Sequence, residues 1–249
     1  MPPPQPEAPP RPQQRRSWVR GPEVSPATQA PFGLASVLIG IGMLLVVTLL
    51  LGAVIVAVDG EPLSVAGRLG LQGVLAAGMV AVAFLAASSG RGLASPRVLG
   101  LGRSLSAPWG PAAKAYLAYL GCALVLAVLL SPEQEDVARE LGWGTSTLGD
   151  VVAAFLIVVA APVAEELFFR GLIFAGIRSA SGFWVAAAIS GAIWGLVHYT
   201  GSDSWPVILQ LAIFGVILAW LYERTGSIRP TIAVHALNNA LALTILVST

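Results

Sequence analysis

APVAEELFFRGLIF, residues 161–174, places two glutamates and an arginine inside an otherwise apolar run. A lone charge is costly in an apolar interior, so three together require mutual pairing or a purpose. Glu166 and Arg170 stand four residues apart, share a helix face and can pair. Glu165 points about 100° away around the same helix, toward a different neighbour. Nothing close in sequence neutralises it. The stretch therefore reads as one ion pair that holds a helix and one unpaired glutamate, the kind of group a general base or acid needs.

The apolar run around these charges extends over residues 147–178. About 20 residues suffice to cross the hydrocarbon core, so this run is too long for one straight span, and Pro162 is expected to kink or break it. Six further apolar segments lie at about 32–58, 67–88, 112–131, 182–200, 205–222 and 230–247. The chain of 249 residues is 56% hydrophobic and only 11% charged, against about 25% charged in soluble domains, so a soluble core is excluded. The expected fold is an all-α, polytopic bundle of about seven transmembrane spans, an integral, multi-pass membrane protein (of the cell membrane, if the chain is bacterial). No repeat of 20–50 residues is visible.

Charge placement orients the bundle. With the N-terminus cytoplasmic, 11 of the 14 Lys and Arg residues fall in inner segments, only Arg68 and Arg139 fall in outer ones, and Arg170 lies within a span. That satisfies the positive-inside rule. Residues 1–30, rich in Pro and Arg, are expected to form a disordered cytoplasmic tail. Residues 31–146 read as a scaffold of apolar spans and 147–249 as the functional core. The net charge of +1, thinly spread, gives no nucleic-acid footprint, so the expected partners are membrane lipid and a membrane-borne substrate. The single cysteine, Cys122, allows neither an intrachain disulfide nor a Cys-based metal site.

Ionisable groups at membrane depth usually face a cavity or a partner inside the bundle. Away from span ends these are Glu165, Glu166, Arg170, His198 and His235, joined by the amides Asn238 and Asn239, all within the last 90 residues or so. His235 and Asn239 share a helix face at i, i+4, as do Trp194 and His198. Each has a plainer role open to it: an ion pair fixing register for Glu166–Arg170, an interfacial position for His198, helix-to-helix hydrogen bonding for His235 and Asn238. Trp143, Trp184, Trp205 and Trp220 read as interface anchors. Their joint occurrence favours function.

EELFFR at 165–170, WGLVH at 194–198 and HALNN at 235–239 give E-E-x-x-x-R, aromatic-x-x-x-H and H-x-x-x-N in that order. Together they resemble the CAAX protease and bacteriocin-processing family of intramembrane proteases, which includes the type II CAAX prenyl endopeptidases. The resemblance covers about residues 147–247, with Trp194 where the family more often has Phe. It implies hydrolysis of a peptide bond in a lipidated or membrane-associated peptide. Glu165 would be the general base, His198 would orient the attacking water, and His235 and Asn239 would stabilise the oxyanion. Glu166 and Arg170 would support the site. No cofactor is required on this reading. The same carboxylate and imidazoles, Glu165, His198 and His235, are also ligand types for Zn²⁺ or another divalent metal, although no H-E-x-x-H is present.

Other readings remain beside it. Ser190–Gly191 could serve a serine intramembrane protease, although position 188 is Ala where a G-x-S-G signature needs Gly. A proton-coupled transporter would use intramembrane Glu, Arg and His, yet no paired broken helices are visible. A catalytically silent scaffold or immunity protein would share the fold. Depth poses a constraint as well: in straight helices Glu165 and His198 lie about 20–25 Å from the cytoplasmic ends of their spans and His235 about 8 Å. Convergence needs a tilt, a kink at Pro162, or a fifth segment that begins along the interface; Pro230 could likewise sit within the membrane rather than at its edge. The loop TGSDS, 200–204, could then line a wet cavity.

Overall fold

The computed structural model describes residues 30–88, 94–101, 109–130, 137–201 and 204–248; nearly all of the Pro- and Arg-rich tail lies outside them. Among the described residues there is no strand. The helices are α1 (Leu34–Asp59), α2 (Val65–Ala87), α3 (Trp109–Leu130), a single turn α4 (Val137–Glu140), the long α5 (Thr147–Arg178), α6 (Phe183–Leu196), α7 (Trp205–Thr225) and α8 (Arg229–Ser248). Every expected apolar segment is helical. Among the described residues six helices are long and apolar enough to cross a membrane, and α6 is a shorter apolar helix. α1 and α3 turn side chains such as Leu38, Leu49, Leu124 and Val128 outward, the surface a bilayer covers. Cys122 is exposed among them.

Local sequence sets the helix ends. Ser64 and Ser146 cap α2 and α5, each hydroxyl accepting the backbone N–H three residues on, from Gly67 and Gly149. Gly226 closes α7 at φ 63°, a left-handed conformation that glycine adopts without steric cost.

Pro162 neither breaks nor ends its helix. Just before the proline, Leu156–Ala160 loosens into π geometry, and the helix regains α form at Ala161–Glu165. A wider turn relieves the clash between a proline ring and the preceding turn. A second π stretch, Glu166–Phe174, is buried along its entire length.

The depth constraint is met at two other places. α6 has 14 residues, about 21 Å, and stops short of a full crossing. The apolar segment expected at 182–200 is thus helical only to Leu196, and the chain turns at Val197, which is exposed, and His198, which is half-buried. α8 starts from within: Ser227 and Ile228 are fully buried, and Pro230 and Thr231 are buried as well. The Ile228 N–H donates to the Gly100 carbonyl at 3.2 Å. Gly100 has φ +84° and a Cβ there would strike the Tyr222 ring, so only glycine fits.

α6 and α7 pack through glycine. A Cβ on Gly191 would lie 2.7 Å from the Ala212 carbonyl oxygen, and one on Gly195 would lie 2.5 Å from that of Ile208. Such backbone approach is the usual role of small residues between membrane helices. Ser190, beside Gly191, is 2% exposed and its hydroxyl donates to Ala187 O of its own helix at 3.4 Å.

Candidate active site

A cavity of about 660 Å³ runs through the bundle, and Glu165, Trp194, His198, His235, Asn238 and Asn239 all line it. Four elements deliver these groups: α5, the end of α6, the turn beyond it and α8. Glu166 and Arg170 do not line the cavity; they are 0% and 1% exposed, behind its wall. The neighbouring glutamates therefore occupy different environments, as the 100° step between them anticipates.

Behind the wall, Arg170 Nη1 donates to Glu166 Oε1 at 2.9 Å, and Nη2 donates to the Gly215 carbonyl at 3.3 Å. The guanidinium also lies over the Trp194 ring, 4.6 Å from its centroid. Glu166 Oε1 meets His235 Nδ1 at 3.0 Å. A carboxylate bound to arginine can only accept, so Nδ1 carries the proton and Nε2 faces the cavity. The ion pair thus holds an imbidazole as well as a helix. His235 Nε2 lies 3.9 Å from Glu165 Oε2, beyond hydrogen-bond range.

Glu165 has a partner that its sequence neighbours do not reveal: the Trp194 indole Nε1–H donates to its Oε2 at 2.6 Å. Trp194 also stands edge-on to the His198 ring, 5.6 Å between centroids. Its direct bond to the glutamate, 29 residues away, is the larger effect. His198 Nδ1 is 2.8 Å from the Trp194 carbonyl oxygen, which can only accept, so His198 too presents Nε2 away from its own helix.

Asn239 is tied to the helix opposite. In the first π stretch the Ala161 N–H reaches back five residues to Leu156 O. The same pattern would assign the Ile157 carbonyl to residue 162, a proline without an N–H. Asn239 Nδ2 supplies the donor, at 2.9 Å. Replacing Asn239 with Leu is expected to leave that carbonyl without its partner and cost about 1–3 kcal/mol, read as a lowered melting temperature in detergent. An unchanged melting temperature would mean that the carbonyl finds another donor.

Farther along the cavity, Gln210 Nε2 donates to the Tyr119 hydroxyl at 3.0 Å, and both residues are buried. Gln72, Thr200 and Ser204 add polar wall. Tyr119, Gln210 and Gln72 are neutral and lie outside both the ionisable set and the three motifs. A polar amide or phenol in mid-span was the available signal. Residues 202–203 of the TGSDS loop lie outside the described residues. Among the described residues, no three His, Cys, Asp or Glu side chains gather closely enough to hold a metal ion. Glu165, His198 and His235 as placed thus do not fit a divalent cation.

Residues 147–241 match the family described as type II CAAX prenyl endopeptidase Rce1-like. The "Putative membrane peptidase YdiL" of Bacillus subtilis (strain 168) is 34% identical over 100 residues, 38% of this chain and 39% of that protein. The match therefore spans well under half of the curated relative. No solved structure matches the chain. The resemblance carried by the three motifs is borne out over the region that holds them.

Proposed function

We propose that this chain is an intramembrane endopeptidase that cleaves lipidated or membrane-associated peptides with water activated by Glu165, its N-terminus on the cytoplasmic side. The observation that carries the reading is the environment of Glu165. One of its oxygens is held by Trp194, and the carboxylate stands in a cavity beside an imidazole fixed from behind by Glu166. Glu165 removes a proton from water, and the resulting hydroxide attacks the scissile carbonyl carbon. The charge gathered on the carbonyl oxygen is met by N–H donors from His235 and Asn239, where preorganised donors contribute most. Asn239 keeps a second amide hydrogen for this role beyond the one given to Ile157. His235 can donate from Nε2 only as the imidazolium, whose charge faces the Glu166 carboxylate. As the tetrahedral intermediate collapses, the C–N bond breaks and Glu165 returns its proton to the leaving nitrogen. His198, with Nδ1 already engaged, offers Nε2 to orient the water. No metal takes part.

The family matched over residues 147–241 and the membrane-peptidase relative support the reaction class, and the predominantly apolar cavity wall supports a substrate drawn from the bilayer. The test is cleavage of a library of lipidated and unlipidated membrane peptides by the purified protein in liposomes prepared in ¹⁸O-water. One ¹⁸O is expected in each new carboxyl group, at a rate unchanged by chelator. Loss with chelator and recovery with Zn²⁺ would overturn the metal-free route. Absence of cleavage across the library would return the chain to the scaffold or transporter reading.

A further inference from the structure

The geometry points to Trp194 as a positioning residue that selects which oxygen of Glu165 acts as the base. The inference rests on the hydrolytic reading above. Both partners of Glu165 address the same atom: the indole N–H donates to Oε2 at 2.6 Å, and His235 Nε2 approaches Oε2 to 3.9 Å. Among the described residues nothing donates to Oε1, and Glu165 lines the cavity. Oε1 is thus the oxygen left to take the proton of a bound water. The indole can impose this choice because it cannot move. Trp194 is 1% exposed, and its ring lies against Phe214 and His235 at centroid distances of 5.7 and 5.3 Å and under the Arg170 guanidinium.

Without the N–H, Oε2 is free to close the remaining gap to His235 Nε2. The result would be a carboxylate–imidazole pair that occupies the base and the oxyanion donor with each other. Neither group holds substrate in the ground state, so the loss falls on the chemical step rather than on binding.

Trp194→Phe keeps an aromatic ring and removes the donor together with the volume of the second fused ring. We expect kcat to fall about 10- to 100-fold, the range of a hydrogen bond to a charged group, with KM unchanged. An unchanged kcat, or a change confined to KM, overturns the inference and makes Trp194 a wall of the cavity. A spectroscopic measurement on the full chain covers the case in which this variant fails to fold. The seven tryptophans give seven indole N–H resonances under ¹⁵N-Trp labelling. Glu165→Gln replaces the acceptor carboxylate with an amide and should move one of them, the farthest downfield, and no other. No movement overturns the inference. The two proposals fail separately: full activity in Glu165→Gln removes the hydrolytic reading itself, whereas an inactive Glu165→Gln beside a fully active Trp194→Phe removes only this one.

Discussion

Replacing Glu165 with Gln is expected to lower the cleavage rate by about 10²- to 10⁴-fold, the contribution of a positioned general base, while the protein stays folded. The substitution is nearly isosteric, and Gln can still accept the Trp194 indole N–H through its amide oxygen. What it lacks is the capacity to take a proton from water and return it to the leaving nitrogen. The loss should appear in kcat and kcat/KM together, since Glu165 does its work in the transition state. Peptide cleavage by the purified variant, beside a melting curve that matches the wild type, is the measurement. Wild-type turnover would place the base elsewhere, and Glu165 would then be a half-buried partner of Trp194 with no further duty.

The second large effect concerns the fold. Arg170→Met should cost about 3–5 kcal/mol, the price of leaving a buried charge without its partner. Glu166 is fully buried, and Arg170 is its cation at 2.9 Å. With the guanidinium gone, the carboxylate keeps His235 Nδ1 but loses its cation, and the Gly215 carbonyl loses its donor too. The variant should accumulate poorly in membranes or melt far below the wild type. Replacing the pair together, Arg170→Met with Glu166→Leu, should restore much of the stability, because apolar side chains of similar volume often substitute for a buried ion pair at little cost. The double variant should still fail to cleave, since nothing then fixes His235 Nδ1. A stable and active double variant would reduce the pair to a structural fixture.

Much of this was legible in the sequence, because a bilayer leaves few choices. Seven apolar segments became seven helices, since backbone polar groups in lipid must pair within their own segment. Glu166 and Arg170 pair as their spacing required, and the three motifs meet around one cavity. What stayed hidden depends on contacts between segments. Hydropathy reads 182–200 as one apolar run and cannot show that α6 stops at Leu196. Pro162 announces a disturbance, but whether the helix breaks or loosens depends on a donor arriving from α8, Asn239, 82 residues away. The Trp194–Glu165 bond was invisible for the same reason. Periodicity places both residues on faces but does not say which faces meet.

The two π stretches in α5 have a consequence for what sequence change the site can tolerate. A wide turn is, in effect, one residue more than the α pattern needs, and each residue turns a helix by about 100°. Glu165 keeps its bearing toward Trp194 and His235 because that residue is taken up in the stretch at Leu156–Ala160, whose residues are all interchangeable apolar types. Exchanging one for another alters little. Losing one lets the helix tighten to plain α form and leaves the bearing of everything after it, Glu165 and Glu166 alike, unchanged, whereas gaining one would swing both by about 100° away from their partners. At residues 156–160 the helix thus holds a residue it can give up without turning the site, but not a place where another can be added.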